Sequence, residues 1–228
     1  TFLGAHVVPA EFSENRRDYI SLVKGKMLDA VAPHAKWIDV FCDAGAFTPD
    51  EAREILEAGI TKGLQGRLHG NQLGDSGGIE LAVELELASV DHCTHATDQQ
   101  LELLAESSTV ATLLPGAEFS TRAHYPDARR FFSAGVTVAI ATDYNPGSSF
   151  IASMPFVIAI AVRDMHFSPE EAVRAATLGG AQALRRNDIG FLGEGARGNL
   201  LILDAPSFEY LAYRPGSQLI KQVLVANP

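Results

Sequence analysis

The stretch VTVAIATDYNPGSS, residues 136–149, joins an apolar, β-branched run to an aspartate and then to a loop of small residues. Short apolar runs of this kind, bounded by turn residues, predict buried strands. We therefore expect a strand at residues 136–142, with Asp143 at its C-terminal end. A buried carboxylate must be paired, hydrogen-bonded or bound to a metal, because burying it alone costs too much free energy. The loop that follows is rich in backbone N–H groups and could hold a carboxylate or a phosphate.

Five similar runs lie earlier in the chain, and most of them end at a histidine or an aspartate. They predict strands at residues 1–6, 37–42, 64–69, 89–92 and 110–114. The polar residues at their C-terminal ends are His6, Asp43, His69 and His92. Helical segments are predicted between the strands. Ser13 could cap one at residues 14–31, and Thr48 and Glu51 form a capping box for another, with Pro49 at the first helical position. The others are predicted at residues 79–87, 98–106, 127–134 and 169–178.

Alternating strands and helices predict a parallel sheet covered by helices. An open doubly wound sheet binds its ligand mainly in one crevice, whereas a barrel brings the C-terminal ends of all its strands to one opening. Polar residues at the ends of most of the strands therefore favour the barrel. Neither GxGxxG after the first strand nor GxxxxGK[ST] occurs. The sequence therefore favours an α/β (β/α)8 TIM barrel over residues 1–189. Six βα units are present, corresponding to strands 3 to 8 of the barrel, and we expect two more to precede Thr1.

The end of the chain has a different pattern, which begins at the turn-rich segment GFLGEG, residues 190–195. Residues 199–203 and 222–226 resemble β-strands, and we expect no helix between them. Residues 190–228 are therefore predicted to be part of a small antiparallel β domain, of the β-sandwich type.

Composition limits the classes of partner. The chain has 228 residues, 46% of them hydrophobic, and a formal net charge of −10. An acidic chain without a Lys/Arg cluster is a poor candidate for binding nucleic acid or an anionic membrane, so we expect neither. Cys42 and Cys93 lack the spacing of a disulfide framework or a zinc finger, which predicts reduced thiols in a cytoplasmic protein. A homodimer is the default expectation for assembly.

Three of the strand-end residues suggest a metal site. A lone histidine is more often a satisfied polar residue than a ligand, but His69, His92 and Asp143 would meet at one mouth. Imidazole and carboxylate suit Zn²⁺ or Fe²⁺, and such a metal would lower the pKa of a water, whose proton Asp143 could shuttle. Gln72 could hold a substrate amide or cap its loop. His95 is expected to be solvated, and Asp91 to point to the opposite face from His92 as a structural residue.

The motifs TFLGAH, DVFCDAGAF, LHGNQ, VDH, TLLPGA and ATDYNPGSS occur here in this order. Together they resemble the imidazolonepropionase family of the amidohydrolase superfamily over essentially the whole chain, and NPGS is the most specific of them. The resemblance implies a metal-dependent hydrolase that opens the ring of 4-imidazolone-5-propanoate to give N-formimidoyl-L-glutamate in histidine degradation. The substrate would be a small anion, and the cofactor one divalent metal, Zn²⁺ or Fe²⁺.

The resemblance also implies a role for each matching residue. His69 and Asp143 would be metal ligands, and His92 would orient the attacking water and the substrate carbonyl as a catalytic residue beside Asp143. The implied substrate-binding residues are His6 and Gln72 at the ring, and Asn145, Gly147 and Ser148 at the propionate.

One motif of the family is absent from this chain. The family's HxH pair supplies two further metal ligands, and no HxH occurs here. Two protein ligands are too few for a catalytic zinc, which usually has three. We therefore expect an N-terminal portion that carries the pair to precede Thr1.

Two alternatives remain at this point. A guanine or cytosine deaminase of the same superfamily would share the strand-end His, His and Asp, although a nucleobase has no carboxylate to place in the NPGS loop. A non-catalytic barrel fragment, serving assembly or binding, is favoured only by the missing HxH.

Overall fold

The computed structural model describes residues 1–226, and the chain divides into two compact units between Ala111 and Thr112. The strands are β1 Phe2–Ala5, β2 Trp37–Cys42, β3 Gln65–Gly70, β4 Ser89–His92, β5 Val110–Leu113, β6 Val138–Ile140, β7 Leu200–Leu203 and β8 Ile220–Leu224. The helices are α1 Arg16–Leu22, α2 Leu28–Val31, α3 Pro49–Thr61, α4 Gly78–Glu84, α5 Asp98–Ala105, α6 Pro115–Thr121, α7 Ala128–Ala134, α8 Met154–Asp164, α9 Pro169–Arg174, α10 Gly180–Ala183 and α11 Tyr210–Tyr213. Across residues 1–226, no helix has the length and apolar character needed to cross a membrane.

The first unit is built on parallel strands in the order β1-β2-β3-β4-β5, as alternating strands and helices require. β2 and β3 pair in unbroken register from Trp37 opposite Gln65 to Cys42 opposite Gly70. Because side chains alternate along a strand, the sheet has two different faces. The buried residues of one face are apolar and lie under the helices: Ile38, Val40, Leu68 and Val90. The other face is the more polar one: beside Trp37 and Phe41 it carries Asp39, Arg67, His69 and Asp91.

The helices of the first unit begin where the sequence signals them, with one exception. Thr48 and Glu51 form the predicted capping box of α3. The predicted helix over residues 14–31 is interrupted by a π-helical turn, Val23–Met27, whose Gly25 has φ −107° and ψ −107°. Ser13 does not cap this helix, which was a wrong prediction. Ser13 closes a preceding 3-10 turn, and the helix starts after Asn15.

In the second unit, β5 continues and is followed by β6, with the Ala141 N–H donating to the Leu113 carbonyl at 3.3 Å. β6 is shorter than the predicted strand at residues 136–142, so Asp143 follows it at the third residue. α6 and α8 were not predicted. The helical turn ending at Gly179 packs against β6, and a Cβ at Gly179 would overlap the carbonyl oxygen of Val138. Only glycine permits this close approach.

The end of the chain contains the expected antiparallel pair. β7 pairs with β8, Leu200 opposite Leu224 and Leu203 opposite Ile220. The prediction that no helix separates them is wrong, because the short helix α11 lies between them. Leu211 of this helix is buried. The Pro and Gly residues around it suggested a loop, so the helix was not predicted. The boundary at residues 189 and 190 remains a proposal.

Candidate functional site

His69 lies near the end of β3, on the polar face of the sheet. Its Nδ1 is 3.0 Å from Oδ1 of Asp39 on the neighbouring strand β2. Asp39 is 3% exposed. Burial would raise the pKa of the Asp39 carboxyl, but the charge of His69, its hydrogen bond and the nearby imidazole of His6 outweigh this effect and hold the pKa below its usual range. The carboxylate therefore accepts, and Nδ1 of His69 carries the proton.

His92 is the last residue of β4 and has a left-handed backbone with φ 81°. Such backbones are uncommon for residues other than glycine and concentrate at functional sites. The turn of the chain brings the His92 ring to 5.4 Å from the His69 ring, between centroids. Burial, followed by the charges of His69 and His6, lowers the pKa of His92 to about 3 against the opposing effect of Asp39. The ring is therefore neutral near pH 7.

His6 follows β1 and completes a row of three imidazoles. Its ring meets that of His69 edge-on, with centroids 4.8 Å apart. Its Nε2 is 3.6 Å from the same Asp39 oxygen that His69 contacts. The first unit therefore brings together His6, His69 and His92, as the strand-end pattern predicted.

Gln72 lies in the loop after β3 and is half-buried. Its backbone N–H donates to Oδ2 of Asp43 at 2.7 Å, and the N–H of Leu73 donates to the same oxygen at 3.0 Å. Oδ1 of Asp43 accepts from the N–H of Ala44 at 2.8 Å. Asp43 therefore joins the loops that follow β2 and β3.

The buried side chain of Asn71 also forms hydrogen bonds that hold this loop. Asn71 is fully buried; its Nδ2 donates to Gln100 at 3.2 Å and its Oδ1 accepts from the N–H of Ile79 at 3.3 Å. The Asn71 carbonyl accepts from the N–H of His95 at 2.8 Å. The side chain of His95 is exposed, as expected. These bonds fix the path of the chain on both sides of Gln72.

Two buried carboxylates lie on the same face of the sheet as His69 and were missed or misplaced by sequence reasoning. Asp91 was predicted to face away from the site, which is wrong. It lies opposite His69 in the strand register, and its Oδ2 is 3.9 Å from Nδ1 of that histidine. The left-handed turn at His92 breaks the alternation on which the prediction rested. Asp39 interrupts the apolar run WIDVFC, and this interruption was the available signal.

The second unit holds the remaining candidates on the loop after β6. Asp143 has a left-handed backbone, with φ 47°, and is half-buried. Oδ1 of Asn145 accepts from the N–H of Gly147 at 2.9 Å, and the N–H of Ser148 donates to the Asn145 carbonyl at 3.2 Å. The Gly147 N–H thus has a partner within the loop. Of the three residues predicted at the propionate, Asn145 and Ser148 carry side-chain donors, an amide nitrogen and a hydroxyl.

The histidines of the first unit fit a divalent metal. With Nδ1 of His69 bonded to Asp39, the ring offers Nε2 as a ligand, which is the arrangement usual for metal-binding histidines. Nitrogen and carboxylate donors suit Zn²⁺ and Fe²⁺ equally. The observed chemistry therefore supports a metal at this edge of the sheet.

Comparison with known proteins agrees with this chemistry. A model of the amidohydrolase family matches residues 25–225. An imidazolonepropionase of Salinispora arenicola is 64% identical over 98% of this chain, and one of Mycolicibacterium smegmatis is 62% identical over 98%. The chain spans 58% and 57% of the length of these two relatives.

Solved structures show the same fold at low identity. An adenosine deaminase from Xanthomonas campestris with bound zinc superposes with a TM-score of 0.68 at 19% identity, covering 97% of this chain and 58% of that one. An atrazine chlorohydrolase mutant from Arthrobacter aurescens, complexed with zinc and atraton, gives 0.68 at 16% identity, covering 90% and 54%. The predicted fold class, an amidohydrolase-type α/β barrel, is confirmed. With the family model matching most of its length, the chain belongs to the amidohydrolase family.

Proposed function

We propose that this chain is part of an imidazolonepropionase, which hydrolyses 4-imidazolone-5-propanoate to N-formimidoyl-L-glutamate in histidine degradation. The observation that carries the proposal is the row of His6, His69 and His92 beside a buried carboxylate. The high identity to relatives named imidazolonepropionase supports the choice of substrate.

His69 and Asp143 are the proposed metal ligands within this chain, and the metal is zinc or iron. A bound divalent metal supplies Lewis acidity, which lowers the pKa of water and polarises a carbonyl. The remaining ligands would come from an HxH pair, which this chain does not contain.

His92 and Asp143 are the proposed catalytic residues. A neutral imidazole can accept a hydrogen bond, so His92 would orient the attacking water toward the ring carbonyl. Asp143 would take a proton from that water while the water oxygen forms a bond to the carbonyl carbon. The ring C–N bond then breaks, and the same proton passes to the departing nitrogen.

Substrate position would depend on residues of both loops. His6 and Gln72 would contact the imidazolone ring. Asn145 and Ser148 would hold the propionate through the amide nitrogen and the hydroxyl, and Gly147 would contribute through the loop turn that its N–H closes. A carboxylate suits such donors, because charge-assisted hydrogen bonds are stronger than neutral ones.

The test compares substrates in the intact enzyme. Loss of imidazolone propionate absorbance is measured beside ammonia release from guanine and cytosine. We expect turnover of the imidazolone alone. Activity restricted to a nucleobase would reject the proposal in favour of a deaminase.

Two variants test the assigned roles. Asp143→Ala is expected to lose the metal, measured as equivalents of zinc or iron per chain. His92→Ala should retain the metal and lose most of kcat. An intact enzyme that binds no metal would support the non-catalytic alternative, and unchanged turnover in His92→Ala would remove that residue from the mechanism.

We also propose a cytoplasmic location and a possible homodimer. Cys42 and Cys93 are both buried free thiols, as the reducing cytoplasm allows.

A further inference from the structure

We propose that Asp39 is a positioning residue that fixes the tautomer and the orientation of His69, so that Nε2 of this ring faces the metal. The inference rests on the metal role proposed for His69. Asp39 itself would touch neither metal nor substrate.

The strand register makes this contact possible. Asp39 and His69 lie on adjacent strands and on the same face, with Asp39 opposite Arg67 and His69 two residues further along β3. At this diagonal, the carboxylate of Asp39 reaches Nδ1 of His69 at 3.0 Å, which is a normal hydrogen-bond length. The bond runs between neighbouring strands of a regular sheet, so its geometry is held by the backbone.

Burial gives the contact its effect. Asp39 is 3% exposed, and a buried carboxylate needs partners to remain charged. Its Oδ1 accepts a hydrogen bond from Nδ1 of His69 at 3.0 Å, and Nε2 of His6 lies 3.6 Å from the same oxygen, within the range of an electrostatic contact but not of a hydrogen bond. One carboxylate therefore links a proposed metal ligand to a proposed substrate-binding residue. A carboxylate that accepts from Nδ1 also makes Nε2 a better ligand.

A second metal among these three residues is the competing arrangement. One ligand atom from each of His6, Asp39 and His69 lies within 4.8 Å of the others. The separation of 3.0 Å between Nδ1 of His69 and Oδ1 of Asp39 matches an N–H donating to a carboxylate, which favours the hydrogen bond over a shared metal. Metal stoichiometry distinguishes the two arrangements.

The test measures metal affinity by chelator competition in the intact enzyme, for Asp39→Asn and Asp39→Ala. Loss of a carboxylate behind a metal-binding histidine weakens affinity by roughly 10- to 100-fold. We expect Asp39→Ala in that range and Asp39→Asn to be milder, because the amide oxygen can still accept from Nδ1. Thermal unfolding checks that each variant is folded.

Asp91→Asn is the matched control. Asp91 is a buried acid on the same face, but its Oδ2 is 3.9 Å from Nδ1 of His69, beyond hydrogen-bond distance. We expect its metal affinity to stay within about threefold of the unmodified enzyme. Equal losses for the Asp39 and Asp91 variants would indicate a general effect of buried charge and overturn the proposal.

A second readout does not depend on turnover. Nitrogen-15 spectra of histidine in the metal-free enzyme report the tautomer of His69, which we expect to be protonated at Nδ1 and to become mixed in Asp39→Ala. An unchanged tautomer or unchanged metal affinity would refute the role of Asp39 while leaving the proposed function standing. A second equivalent of zinc lost with Asp39 would favour the competing arrangement. An unmodified enzyme without metal or turnover would overturn both proposals.

Discussion

Replacing Gly179 with alanine tests the packing of a helical turn against β6. Gly179 has ordinary helical angles, φ −58° and ψ −46°, so its backbone does not need glycine. In a helix, alanine is favoured over glycine by about 1 kcal/mol. However, the new Cβ would overlap the carbonyl oxygen of Val138 and lie 3.1 Å from Cα of Ala139. Both contacts are backbone atoms of a buried strand, so the helix itself must move.

The expected magnitude follows from these opposing effects. Forcing extra volume into a packed core costs about 1–3 kcal/mol and occasionally more. Because the clash involves backbone atoms, we expect the upper part of this range, roughly 2–3 kcal/mol. After subtraction of the helical gain of about 1 kcal/mol, Gly179→Ala should lower the free energy of unfolding by roughly 1–2 kcal/mol. Because β6 leads to Asp143, metal retention should fall as well.

Gly180→Ala is the matched control, one residue further along the same helix. Its angles are φ −59° and ψ −38°, and the nearest atom to its new Cβ is the Ala175 carbonyl oxygen at 4.0 Å. This variant should gain up to about 1 kcal/mol. Urea unfolding of the two variants therefore gives shifts of opposite sign. Equal midpoints, or a more stable Gly179→Ala, would refute the packing argument.

Further predictions concern other parts of the chain. Asn145→Ala should mainly raise KM, because it removes the amide proposed to hold the propionate. Asn145→Asp keeps the oxygen that accepts from the Gly147 N–H but loses the amide nitrogen, and it should raise KM as well. A normal KM in Asn145→Asp would show that the amide nitrogen does not hold the propionate. Thr48→Ala should destabilise the protein by about 1 kcal/mol in urea unfolding through loss of the capping box, and an unchanged midpoint would contradict this. Burial raises the pKa of Cys42 to about 12 and that of Cys93 well above its usual value, so neither thiol should react with a disulfide reagent at pH 8 until denaturant is added. Rapid labelling of the native protein would disprove this.

The strands could be predicted because each is an apolar run ended by polar or turn residues. β2 and β4 have the predicted bounds, and the histidines at the strand ends meet as expected. Helices whose start signals are local, such as α3 with its capping box, were also predictable. The signal in these cases lies within a few residues, so no knowledge of the tertiary structure is needed.

Other features depend on contacts distant in sequence. α8 is apolar along most of its length, with Val157 to Ala161 buried, so no amphipathic period marks it as a helix. α6 begins at Pro115 without a side-chain cap. The interruption of WIDVFC singles out Asp39, but its contact with His69 could not be predicted, because that contact depends on the register of β2 with β3. The direction of the His92 side chain depends on the left-handed backbone at that residue, which the strand pattern does not reveal.

The bonds of Asp43 have a consequence for engineering substrate selectivity, if the proposed function holds. One side chain accepts N–H groups from Ala44 on its own loop and from Gln72 and Leu73 on the next. The two loops therefore form a single module for grafting. If the loop that contains Gln72 is replaced by that of a relative with another substrate range, the loop after β2 should be replaced with it. Without the carboxylate of Asp43 or its equivalent, the new loop would lack the hydrogen bonds that hold its backbone.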